Sequence, residues 1–236
     1  MIKSLRAFAA ALVLFALSPL AYAQGLYYES KDIPDACIFL PAPPQPGSQR
    51  FIADELMYIW GKSQREGERG EMAVKHAVYE IDDMIALFSE PFGRVLSEKE
   101  TPQTVKLIRK SITTIRKATS GPKTKYARTR PFVYYNEKTL IPLHEAFLSN
   151  TGSYPSGHTL RGWGMALVLA QLNPERQEEI LTLGYEWGQS RVICGVHWQS
   201  DVDAARCLAA ACFARLQACP EYLADMENAR KELYGE

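Results

Sequence analysis

Past residue 23 this sequence has no apolar run approaching the roughly 18 residues that a membrane span needs. The mature chain is therefore expected to be soluble, with no span. Charge of either sign is not in excess: 27 basic residues face 27 acidic ones. That balance argues against a nucleic acid polymer as partner. Cys-x-x-Cys is missing, which argues against a zinc or redox site of that kind. Two-residue alternation of strand length is also missing, as are internal repeats and low-complexity tracts. Helices joined by short loops remain, and they predict an all-α fold, a single compact helical domain.

What is present fits that frame. The chain has 236 residues, 47% hydrophobic and 23% charged, enough for one domain with a full core. Lys3 and Arg6 precede an apolar stretch over 7–17, and Pro19 and Ala21-Tyr22-Ala23 complete a signal-peptide pattern. Residues 1–23 are expected to be removed, leaving a single domain over 24–236 with its first residue at Gln24. Loss of Lys3 and Arg6 would leave acidic residues two in excess. Export puts Cys37, Cys194, Cys207, Cys212 and Cys219 in an oxidising compartment. Five is odd, so one thiol at least is free or pairs between chains. Cys207 and Cys212 share a predicted helix at a spacing beyond disulfide reach. Cys37 could pair with Cys207, Cys212 or Cys219, and the sequence does not choose.

Residues 24–47 read as an extended arm, because Pro41, Pro43, Pro44 and Pro46 exclude helix. Ile38, Phe39 and Leu40 are the residues expected to pin it. Helical spacing starts after Ser48, with Phe51, Ile52, Leu56 and Ile59. A second helical run is predicted over 72–88. Within it His76 reads as structural or surface, and the acidic stretch 79–83 reads as helix surface. Thr101-Pro102 opens a helix carrying Val105, Ile108, Ile112 and Ile115. Ser120-Gly121-Pro122 is read as its end. Residues 136–150, including His144, form a connection. Asn173-Pro174 starts another helix, with Asn173 as cap. A final helical region runs over about 201–218, and Pro220 introduces an exposed amphipathic tail helix.

Three stretches carry chemistry. Lys123, Lys125, Arg128 and Arg130 put four cations within eight residues, interleaved with Tyr126, Phe132, Tyr134 and Tyr135. A charge run is ordinarily a solvated face, but Pro131 holds Arg130 extended, as a bidentate oxyanion clamp requires. Gly152-Ser153-Tyr154-Pro155-Ser156-Gly157-His158-Thr159 leads into an apolar helical stretch. Alone it reads as an N-cap, with Ser156 capping; its free N–H groups and helix dipole also favour an anion. His197 and Asp201 lie four apart. A carboxylate on one ring nitrogen fixes the tautomer and frees the other nitrogen as a nucleophile. Metal ligation by this pair lacks a third ligand at plausible spacing, and the cations would repel the ion.

Together these stretches read Lys-x6-Arg-Pro (123–131), Pro-Ser-Gly-His (155–158) and Ser-Arg-x5-His-x3-Asp (190–201). The signature resembles that of the phosphatidic acid phosphatase type 2 (PAP2) superfamily, which also contains vanadium haloperoxidases. The closer resemblance is to bacterial class A non-specific acid phosphatases. It is carried by 152–159, by Ser-Arg-Val-Ile-Cys-Gly (190–195), by His-Trp-Gln-Ser-Asp-Val (197–202) and by the Leu-Pro-x-Pro-Pro arm (40–44). The resemblance implies a periplasmic phosphate monoesterase of broad range and acidic optimum, with no metal or other cofactor. His197 would attack phosphorus and form a phosphohistidine, oriented by Asp201. His158 would protonate the leaving alcohol and then activate water. Lys123, Arg130, Ser156, Gly157 and Arg191 would bind the phosphate. Small phosphomonoesters or nucleotides are the implied substrates, and a homodimer or larger homo-oligomer the implied assembly. An apyrase-like hydrolysis of nucleotide di- and triphosphates at the same site is the alternative. A haloperoxidase is more distant, given the short chain. The bulky stretch 79–83 departs from the small loop of many relatives, which bears on substrate breadth.

Overall fold

The computed structural model describes residues 25–235. The expected signal segment, its cleavage site and Gln24 lie outside the described residues. Every regular element among the described residues is helical. In chain order they are α1 (Ala36–Phe39), α2 (Gln49–Ser63), α3 (Glu68–Lys75), α4 (Ile81–Leu87), α5 (Ser89–Phe92), α6 (Pro102–Ile115) and α7 (Ser120–Tyr126). They continue with α8 (Pro131–Tyr134), α9 (Glu145–Leu148), α10 (Gly157–Leu172), α11 (Gln177–Ile193), α12 (Gln199–Leu216) and α13 (Pro220–Tyr234).

Helix α10 is the centre. Its residues are apolar or small on nearly every side, as a helix enclosed by others must be. It packs against α11, α12 and α6, and α13 packs on α6 and touches α10 as well. Gly162 permits the closest crossing: a Cβ there would sit 2.6 Å from the Trp187 ring on α11. Leu160, Met165, Val168, Leu169, Ile108, Ile112, Ile180 and Trp187 fill the shared core. Each such burial contributes about 1.5–3 kcal/mol. Starts follow local rules: Ser48 and Ser156 accept the Phe51 and Thr159 amides, and Pro102 and Pro220 open α6 and α13.

Several expectations need correction. The arm is not wholly extended, since Ser30–Asp32 form a 3-10 turn and α1 a single helical turn capped by Asp35. Ile38 and Phe39 face solvent; Tyr27, Tyr28 and Ala36 enter the core instead and pin the arm. Helix α2 forms as expected, but Ile52, Leu56 and Ile59 lie outside and Asp54 and Tyr58 lie inside. The run over 72–88 breaks after Lys75 and resumes at Ile81, because the His76 carbonyl serves the His158 ring rather than a helical amide. Ser120-Gly121-Pro122 starts α7 rather than ending the helical path; Pro122 sits in its first turn, where no N–H is needed. Asn173 does not cap: its side chain donates to the Phe92 carbonyl, and a 3-10 turn precedes α11. The tail helix is not exposed, since Tyr222, Met226, Ala229 and Leu233 join the core.

Candidate active site

The ends of α7, α10, α11 and α12 converge on one cavity of about 310 Å³. Lys123 from α7, Arg130 before α8, Gly157 and His158 from the first turn of α10, Arg191 near the end of α11, and His197 line it. Gly195 makes the last of these possible. Its φ of +82° reverses the chain beyond α11, so that His197 turns inward ahead of α12.

His197 is 3% exposed and held on both sides. Its Nδ1 lies 3.3 Å from Asp201 Oδ2, and its Nε2 lies 3.0 Å from Arg130 Nη1. A guanidinium only donates, so Nε2 carries the lone pair and Nδ1 the hydrogen. Burial, with Arg130, Lys123 and Arg191 close by, pushes its pKa well below 6.5, so the ring is neutral. Asp201 is fully buried behind the ring. It also accepts from the Trp198 amide at 2.9 Å and from Arg128 Nη1 at 2.6 Å.

His158 is likewise neutral, its pKa pushed well below 6.5 by burial and then by Arg191. Its Nε2 lies 2.7 Å from the His76 carbonyl, which can only accept, so the hydrogen sits on Nε2. The Nδ1 atom is buried without a partner. Trp187 stacks on the ring at 5.5 Å. His76, structural as expected, stacks on Trp187 from its own position and bonds Ser190 Oγ at 2.9 Å. His144 contacts the Tyr79 ring and does not line the cavity.

Among the described residues the three inner cations form no ion pair with a carboxylate, although Asp201 bears on Lys123 and Arg130 through space. Arg130 is fixed by the carbonyls of Leu148, Thr151 and Val196, and burial draws its pKa to about 10. Lys123 donates to the Gly152 carbonyl at 2.6 Å; burial and then Arg130 push its pKa down to about 7. Arg191 is 1% exposed, and its Nε and Nη1 have no partner. Buried donors left this way are costly unless an acceptor arrives. No Asp or Glu lines the cavity. Among the described residues, no three His, Cys, Asp or Glu side chains gather as a metal-binding group.

Ser156 is placed differently from its neighbours. Its hydroxyl accepts from the Thr159 amide and hydroxyl, and it is not among the lining residues. Its amide donates to the Asp201 carbonyl, tying α10 to α12. The four-cation run also divides. Lys123 and Arg130 face the cavity, Lys125 lies over the Tyr126 ring, and Arg128 bridges Asp54 and Asp201. Sequence reasoning missed Asp54, Arg116, Lys117 and Arg161, and it placed Arg128 in the cation run without its carboxylate partners. Tyr79 was read as helix surface, but it precedes α4 and lines the cavity. The aromatic position at 79, departing from a small loop, was its one signal.

An all-helical domain that gathers cations and two histidines around one cavity at its helix ends is of a class built to hold an anion beside two imidazoles. Residues 108–224 match the PAP2 superfamily. The chain is similar to a non-specific acid phosphatase of Providencia stuartii, 46% identical over 209 residues, covering 88% of this chain and 84% of that one. It is similar to a non-specific acid phosphatase of Salmonella typhimurium at 38% identity, covering 88% and 83%. An acid phosphatase of Zymomonas mobilis is 32% identical, covering 84% and 75%. The chain belongs to the PAP2 superfamily and, within it, to the family of these acid phosphatases.

Proposed function

We propose that this acid phosphatase hydrolyses phosphate monoesters without a metal, through a phosphohistidine on His197. The observation that carries the reading is His197, held between Asp201 at Nδ1 and Arg130 at Nε2 on the wall of a cavity lined by cations and no acid. Nε2 attacks phosphorus, the N–P bond forms and the ester P–O bond breaks. The leaving oxygen takes a proton from His158 Nδ1. In the second step that nitrogen accepts a proton from water, whose oxygen displaces Nε2 and frees phosphate. Lys123, Arg130, Arg191 and the Gly157 amide hold the phosphoryl oxygens, and Ser156 stands behind them as the cap of α10. Arg130 Nη1 passes from Nε2 to an oxygen as substrate binds. Each such donor is worth about 10²–10³ in rate.

The pH preference follows from two groups. His158 and Lys123 both have lowered pKa values and both must be protonated to act. Acidic conditions favour that state, and the negative charge of a bound phosphoryl group favours the protonated form of His158, the proton coming from solvent. Substrate breadth is expected because the inner contacts address only the phosphoryl group. No described helix is long and apolar enough to cross a membrane. The signal pattern over 1–23 is the support for export to the periplasm of a single domain over 24–236. The test is p-nitrophenyl phosphate turnover in EDTA at mildly acidic pH. Turnover that His197→Ala abolishes is expected. Turnover only with added divalent metal would overturn the metal-free mechanism.

A further inference from the structure

The cavity holds more positive charge than one phosphoryl group uses. Outside Lys123, Arg130 and Arg191 it is also lined by Arg116, Lys117 and Arg161, in a chain whose charges balance overall. Arg69, Arg109, Arg128, Arg176 and Arg206 each pair with a carboxylate. Arg116, Lys117 and Arg161 form no such pair among the described residues. Glu80 bears on Arg161 only through space, and it does not line the cavity.

Their placement is specific. Arg161 follows His158 by three residues on α10, so both lie on one helix face about 4.5 Å apart along the axis. Tyr79 fixes it: the Tyr79 carbonyl accepts from Arg161 Nη2 at 2.6 Å, and the ring lies 5.8 Å from the guanidinium. Arg116 and Lys117 occupy the 3-10 turn Arg116–Thr119, which runs into the helix bearing Lys123. Arg161 thus shares a helix face with His158, and all three outer cations line the cavity that the His158 proton donor lines.

We infer that Arg116, Lys117 and Arg161 form a second anion subsite for a phosphate or carboxylate carried by the leaving group. The favoured substrates are phosphate esters or anhydrides with an anionic leaving group, inorganic diphosphate being the smallest. This rests on the reading of His158 as proton donor. The balance is unchanged: His197 Nε2 bonds to phosphorus, the bridging P–O bond breaks, and the departing oxygen takes the electron pair and the His158 proton.

The experiment measures binding of orthophosphate and of methylenediphosphonate by calorimetry, and their inhibition of p-nitrophenyl phosphate hydrolysis. The wild-type protein should bind the diphosphonate about tenfold more tightly. In the double variant Arg161→Gln, Lys117→Gln that advantage should fall below about threefold. Retained orthophosphate binding shows that the variant is folded. The kcat/KM for diphosphate should fall by the same factor relative to p-nitrophenyl phosphate. Equal affinity for both anions in the wild type, or a variant that weakens both alike, would overturn the subsite. A protein that binds both anions but turns over neither ester nor anhydride would sink the phosphatase reading instead and leave the subsite standing.

Discussion

Arg128 is the side chain through which the site and the fold are most tightly joined. Its Nη1 lies 2.6 Å from Asp201 Oδ1 and its Nη2 lies 2.7 Å from Asp54 Oδ2, with side chains 7% exposed or less. Ser200 closes the group, donating from its amide and hydroxyl to Asp54. In Arg128→Gln two buried carboxylates lose their shared cation. Breaking a buried pair from one side costs about 3–5 kcal/mol. Asp54 keeps Ser200, and Asp201 keeps the Trp198 amide, so the lower half of that range applies. At about 2–4 °C per kcal/mol for a chain of this size, the melting temperature should fall by about 6–16 °C. Asp201 should also lose its hold on the His197 Nδ1 hydrogen, lowering kcat about tenfold or more on p-nitrophenyl phosphate. Calorimetry and steady-state kinetics check both. Adding Asp54→Asn should recover part of the stability and little of the kcat, because it removes a stranded charge without restoring the Asp201 contact. A loss under 2 °C with full kcat would refute the idea that Arg128 positions Asp201.

Two further predictions concern a cation of the cavity and the core contact behind His158. Lys123 must be charged to bind phosphate, and its pKa stands near 7 rather than 10.5. Its contribution is therefore present below pH 7 and lost as pH rises through that value. The kcat/KM profile should fall about tenfold per unit on the alkaline side, and Lys123→Arg should shift that limb upward. Gly162→Ala drives a methyl into the Trp187 ring, 2.6 Å away, at a cost of about 1–3 kcal/mol. Because Trp187 stacks on His158, kcat/KM should fall up to about 100-fold while the near-ultraviolet circular dichroism of the tryptophan changes.

The parts of the site that were legible in the sequence are those whose signals are local. His197 and Asp201 four residues apart, Arg130 before Pro131, and Ser156 ahead of an apolar helix each state their geometry within a few positions. The parts that were not legible are set by long-range packing. Nothing near Arg128 announces Asp54, 74 residues away. Arg161 reads as an ordinary helical charge until α10 is placed beside Tyr79. The break at His76 has the same origin, since its carbonyl is claimed by a ring on another helix. Helix α2 shows the limit of periodicity: its spacing is helical, but the face carrying Ile52, Leu56 and Ile59 is not the face that the core takes. The starts of α2, α6, α10 and α13 were readable because Ser48, Pro102, Ser156 and Pro220 mark them locally.

The central claim is the covalent step at His197, and trapping tests it most directly. The enzyme is mixed with labelled substrate, quenched in alkali within the first turnover, digested and sequenced by mass spectrometry. The account predicts a phosphoryl group on the peptide bearing His197, stable in alkali and released by acid, and absent from His197→Ala. Label on an acid-stable Ser, Thr or Tyr, or turnover with no covalent label at any quench time, would contradict it.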